Sequence, residues 1–154
     1  SSAASDVYKR QVDYGGWDMH NDVAGSMADK GPALDQALGA LIRDLDSSGL
    51  LNETLIVLAS EFGRSPAINQ NAGRDHHPAA FSYVLAGAGI KGGAVYGKSD
   101  EKGHGIDEDP VGLTDFNSTV TVACGLDPNK EHFAPNGRPF KIGGGGDPIY
   151  DVLA

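Results

Sequence analysis

The sequence predicts an α/β fold, a mostly parallel sheet with flanking helices, and three features carry that expectation. An amphipathic stretch at residues 31–48 leads through a short turn into TLIVLA at residues 54–59, a continuous apolar run of strand length. A second such run, FSYVLA, covers residues 81–86. Runs that are apolar throughout suit strands buried on both faces, as in a parallel sheet. Helix, turn and buried strand together make half of a βαβ unit.

In chain order, residues 1–11, SSAASDVYKRQ, show no apolar period and read as a leader foreign to the domain, which then runs from 12 to 154. Val12 to Tyr14 reads as a strand tail, broken by Gly15 and Gly16 ahead of Trp17-Asp18-Met19-His20. Glycines after a strand end are where open α/β sheets place ligand groups. The helix over 31–48 has Leu34, Ala37, Leu38, Leu41, Ile42 and Leu45 on one stripe. Pro32 suits its first turn, and Gly49 its stop. One stripe predicts a helix covering one side of the sheet.

After residues 81–86 comes GAGIKGG, whose Gly87, Gly89 and Gly92 fit G-x-G-x-x-G. That pattern must open a helix to bind a dinucleotide. Here it meets residues 93–97, GAVYG, which read as a short strand, so a glycine-rich hairpin is expected. Residues 99–110 read as a polar surface loop holding His104, and residues 113–125 as a second helix with Thr114 as N-cap and Phe116, Val120, Ala123 and Cys124 on one face. The remainder is a Pro/Gly-rich wrap with one strand near 140–142. Its Asp127, Asn129 and Glu131 alternate like a calcium loop, but His132 stands where the required glycine would be.

The bulk numbers narrow the function. The 154 residues suffice for one domain with a core, and they carry a net charge of -9. That balance argues against binding a nucleic-acid backbone or an anionic membrane surface. No apolar run approaches a membrane span. Cys124 is the only cysteine, which excludes an intrachain disulfide and a thiolate zinc site.

Two clusters carry chemistry. One is Asp18 with His20; the other lies in residues 60–78, SEFGRSPAINQNAGRDHHP, with Glu61, Arg64, Arg74, Asp75, His76 and His77. Carboxylates and imidazoles together suit zinc, manganese or iron, with calcium favoured where oxygens dominate. Asp18, His20, Glu61, Asp75, His76 and His77 are therefore candidate metal ligands. Adjacent residues of a strand point to opposite faces, so if 76–77 is extended only one of the two histidines ligates. The plainer reading makes the Asp-x-His pair solvated, the histidines bonded to backbone and the arginines paired with surface acids.

GGWDMH, PALDQALGALIRDL, LIVLASEFGRSP, NAGRDHHPAAFSYVLAGAGIKGGAVYG and the late GRP together resemble the DUF1501 family, within the alkaline-phosphatase and sulfatase superfamily. The resemblance spans Val12 to the C-terminus. It implies an alkaline-phosphatase-like parallel sheet with metals at the C-terminal strand ends. It further implies that Asp18 and His20 hold one metal, that His76 closes that site, and that Glu61 stands at a second. Phe62, next to Glu61, cannot bind metal, so the second site is weaker, differently ligated or absent. Arg64 and Arg74 resemble positions that hold a phosphate or sulfate in a bidentate fork.

The superfamily nucleophile lies upstream of the first Asp-His block, so the resemblance makes this chain a C-terminal portion truncated at its N-terminus. The activity implied for the longer protein is metal-dependent hydrolysis of a phosphate or sulfate ester. Family habit implies export, to the periplasm or beyond. The alternative is an α/β domain that has lost hydrolysis and binds a sulfated or phosphorylated glycan, or a partner protein.

Overall fold

The computed structural model describes residues 8–154. The first seven residues of the expected leader lie outside the described residues, and residues 8–11 run without regular structure and exposed. Val12 to Tyr14 form no strand, and Val12 is fully open to solvent.

Helix α1 covers Val23–Ser47, eight residues longer at its start than the periodicity predicts. The true N-cap is Asp22, whose carboxylate accepts from the Gly25 backbone N–H at 3.1 Å. Pro32 therefore sits inside the helix rather than in its first turn, where it leaves the Ala28 carbonyl without the usual donor. No residue of α1 is buried, and Leu41 is about half exposed, so the helix does not cover a sheet as expected. A single 3-10 turn, Leu50–Glu53, leads into strand β1, Leu55–Leu58.

The parallel sheet is not there. Among the described residues, eight short strands pair as four separate two-stranded antiparallel ladders. Strand β1 pairs with β4, Val84–Gly87, in the register Leu55↔Gly87 to Leu58↔Val84. Between them lies β2, Gly63–Arg64, paired with β3, His76–His77. The physical reason is in the linking segment. Parallel neighbours need a crossover, usually a helix, and residues 59–83 contain no helix. The two apolar runs meet head to tail, and Val57 and Val84 stay exposed instead of buried on both faces.

The residues after β4 also differ from expectation. Gly87 and Gly89 take positive φ in the turn that follows β4, while residues 94–97 are irregular rather than a strand. The hairpin comes later, beginning one residue before the stretch read as a surface loop: β5, Lys98–Ser99, pairs with β6, Ile106–Glu108. Helix α2, Leu113–Ala123, falls where predicted, but Gly112 is the N-cap position and the Asp115 carboxylate accepts from its N–H at 3.1 Å. Strands β7, Glu131–Phe133, and β8, Pro139–Lys141, form the last ladder, close to the predicted strand. The C-terminus returns to the glycine turn through an Ile90↔Leu153 bridge.

Packing is unusually polar. Among the described residues Met19 is the one buried hydrophobic side chain, while Ser118, Thr119 and Thr121 of α2 are buried. The chain exposes 10891 Å², against roughly 7,400 Å² expected for a compact monomer of its mass. Ser118 Oγ lies 3.1 Å from the Gly143 carbonyl and 2.8 Å from that of Gly146, tying α2 to the C-terminal wrap. Thr119 Oγ1 accepts from the Ile149 N–H at 2.9 Å. Ser118→Ala should cost about 1–3 kcal/mol, the range for leaving buried carbonyls without a donor. Urea denaturation measures it, and an unchanged midpoint would show that the contacts are dispensable. No helix among the described residues is long and apolar enough to cross a membrane.

Candidate metal centre

The site is built where two segments distant in sequence are zipped together by backbone. The Arg74 N–H donates to the Met19 carbonyl at 3.0 Å, that of Asp22 to Asn71 at 3.1 Å, and that of Val23 to Ala72 at 2.9 Å. Met19 points inward and is 6% exposed. Its neighbours Asp18 and His20 are more open to solvent, in a segment turned by hydrogen bonds from the Met19 N–H to the Trp17 carbonyl and from the His20 N–H to that of Asp18. From the other segment, the β2–β3 ladder sets Arg64 opposite His76.

Three side chains converge there. His20 Nε2 lies 3.1 Å from Asp18 Oδ1 and 3.1 Å from His76 Nε2, and His76 Nε2 lies 2.9 Å from Asp18 Oδ1. Among the described residues, Asp18, His20 and His76 form the group of potential ligands close enough to hold one metal ion. Each side of the triangle is near the roughly 3.0 Å that separates adjacent ligands of an octahedral ion with bonds of about 2.1 Å. A tetrahedral zinc ion with similar bonds needs about 3.4 Å, a small outward adjustment.

The surroundings prepare the ligands. His20 Nδ1 donates to Asp75 Oδ1 at 2.9 Å, and Nε2, on the other side of the ring, faces Asp18. A carboxylate behind a ligating imidazole is the common arrangement that fixes its tautomer. The Phe62 ring packs on His76 with centroids 4.4 Å apart. Arg64 Nη2 donates to Asp18 Oδ1 at 2.5 Å. That guanidinium, and then the hydrogen bond from His76, hold the Asp18 carboxyl down to about 2. Asp75 is also lowered, by the hydrogen bond from Asn69 and then by that from His20.

The other predicted residues take different places. Asp75 stands behind His20 rather than in the triad. His77 shares β3 with His76 but turns the other way, donating from Nε2 to the His104 carbonyl at 2.8 Å. Glu61 is exposed and outside the triad. Arg74 Nη1 donates to the carbonyls of Ser65 and Pro66 at 2.6 and 2.7 Å, so it braces the loop.

Two residues were missed by sequence reasoning. Asn69 bonds to both segments, and Gly73 lets them touch. The signal for both was the turn-rich string Asn69-Gln70-Asn71-Ala72-Gly73.

A backbone-zipped loop presenting one carboxylate and two imidazoles defines a chain with a candidate metal-ligand triad. It belongs to the family described as Protein of unknown function (DUF1501), whose model matches residues 3–153. No curated protein and no solved structure matches the chain.

Proposed function

We propose that this chain provides the metal centre of a hydrolase acting on a phosphate or sulfate ester. The observation that carries the reading is the convergence of Asp18 Oδ1, His20 Nε2 and His76 Nε2 within about 3 Å of one another. Two imidazoles and one carboxylate fit zinc or manganese better than calcium, which prefers an all-oxygen shell. The likeness of Asp18, His20 and His76 to ligands of the alkaline-phosphatase and sulfatase superfamily supports the ester chemistry.

Asp18, His20 and His76 would hold the ion, with Asp75 fixing the imidazole of His20. Bound there, a divalent ion supplies Lewis acidity toward an ester oxygen. Arg64 is the nearest cation that could face a non-bridging oxygen, once it leaves Asp18. Elemental analysis of the purified full chain should find zinc or manganese near one per chain. In the longer protein, generic phosphate or sulfate esters should then be hydrolysed above the rate of its His20→Ala variant. A metal-free preparation that takes up neither ion on titration would remove the reading.

A second reading is favoured by the arginines. Arg64 is held by Asp18 and the Arg74 carbonyl, and Arg74 by two further carbonyls, so neither is free to clamp an anion. A metal-dependent binding module for a sulfated or phosphorylated glycan would then retain the ion without turnover. Stoichiometric metal with no hydrolysis of either ester class by the longer protein is the outcome that selects it.

A further inference from the structure

Asn69 uses its whole hydrogen-bonding capacity on the two segments that make the site. Its Nδ2 donates to the His20 carbonyl at 3.0 Å and to Asp75 Oδ1 at 2.9 Å. Its Oδ1 accepts from the N–H groups of Asn71 and Gly73, each at 2.9 Å. A side-chain amide has two donor hydrogens and two acceptor lone pairs, and here all four are engaged. The orientation of the amide is settled by these partners, since a flipped group would aim its oxygen at a carbonyl and a carboxylate. No other residue type fits as well. Aspartate would set a second carboxylate against Asp75, and serine is too short to reach it.

We infer that Asn69 is a positioning residue for the metal centre: it pins the Asp75 carboxylate against His20 Nδ1, and the His20 backbone beside it, so that Nε2 is held toward Asp18 and His76. The inference rests on the metal-centre reading above for its consequence, but its first effect is on the tautomer of His20. The Asp75 oxygen that receives the imidazole N–H is the same oxygen that receives the amide. Without Asn69 the carboxylate is free to rotate on its exposed side chain. His20 then loses the partner that selects the Nδ1–H form.

The test is Asn69→Ser in the full chain. A serine hydroxyl can still accept from the residue-71 N–H as a turn, but it cannot span to Asp75. Two quantities are read: the nitrogen NMR shifts of His20 in the metal-free protein, and the zinc affinity by calorimetry. In the wild type the Nδ1–H tautomer should dominate. In Asn69→Ser the two tautomers should mix, and zinc affinity should fall about 10–100-fold, as for loss of other partners behind metal ligands. Because Asn69 acts through Asp75, adding Asn69→Ser to Asp75→Ala should cost little more, whereas independent effects would multiply.

A folded Asn69→Ser protein with wild-type tautomer and affinity overturns the inference, as does simple multiplication in the double variant. Should the serine variant not fold, the wild type still decides. The Asn69 side-chain amide protons should exchange slowly with solvent, and their resonances should move in Asp75→Ala. Fast exchange with unmoved resonances overturns the inference. Failure of the wild type to bind zinc sinks the metal reading alone, because the tautomer measurement needs no metal.

Discussion

Gly73→Ala is expected to dismantle the site and to cost about 3 kcal/mol of stability, the upper range for forcing atoms into a packed contact. A Cβ built on Gly73 would lie 2.0 Å from the His20 carbonyl carbon, 2.1 Å from its oxygen and 2.5 Å from the Asn21 nitrogen. All three are backbone atoms, so no rotamer change relieves the clash. The strands of chain must part by more than an ångström. Parting them breaks the bonds from Arg74 to Met19, Asp22 to Asn71 and Val23 to Ala72. His20 and His76 come from opposite sides of that seam, so zinc affinity should fall together with stability. Urea denaturation and zinc calorimetry measure the two effects. Gly92→Ala serves as the control, because nothing lies within 4 Å of a Cβ there. A Gly73→Ala protein matching that control in both measurements would show that the seam is not what assembles the triad.

The contrast between site and fold shows what an amino-acid sequence displays and what it hides. Asp18, His20 and His76 were legible because residue type and alternation are local properties. Asp18 and His20 flank a buried Met19, and local turns at Met19 and His20 leave both side chains toward solvent. The split between His76 and His77 was legible for the same reason. Asp75 was read as a ligand because its chemistry permits it. Only the geometry shows that His20 turns Nδ1 to it and Nε2 away. Glu61 drew its role at a second metal from the resemblance, and in the fold it stands exposed and outside the triad.

TLIVLA and FSYVLA are strands in part, but an apolar run does not encode which way its partner runs. The information lay in the link: residues 59–83 are rich in turn formers and supply no crossover helix. The β5–β6 hairpin was hidden because its strands are polar, exposed and two or three residues long. Its tip is organised by Asp100, whose carboxylate accepts from the N–H groups of Lys102 and His104, and those bonds, with that from His104 foremost, lower its pKa. Helix α2 was placed correctly from its pattern. Its buried face is serine and threonine, however, and hydropathy does not register a face that packs through hydrogen bonds.

His20→Ala should lower zinc affinity by more than about a hundredfold, beyond the range seen when only an outer partner is lost. His77→Ala and Glu61→Gln should leave it within about twofold, since neither side chain belongs to the triad. This set of three separates a ligand shell chosen by geometry from one chosen by residue type. Equal losses in all three would mean the loop rearranges around the ion, and no loss in His20→Ala would remove the triad. The proton balance gives a further sign. A ligating imidazole must be neutral, so zinc affinity should rise with pH and binding should release protons. Asp18 contributes none of them near neutrality, since its carboxyl is ionised there even at the ordinary 3.8 and Arg64 holds it lower still, at about 2. Its depressed value also means that Asp18 adds stability to the metal-free fold above its ordinary 3.8, and that this is lost as pH falls toward about 2. Arg64 and a metal ion compete for the same Asp18 oxygen. Arg64→Ala should therefore weaken the metal-free protein slightly at pH above the ordinary 3.8 of Asp18, a difference that vanishes as pH falls toward about 2, while leaving zinc binding as strong or stronger. A marked loss of zinc affinity in that variant would mean that the guanidinium orients Asp18 for the ion instead of standing in its place.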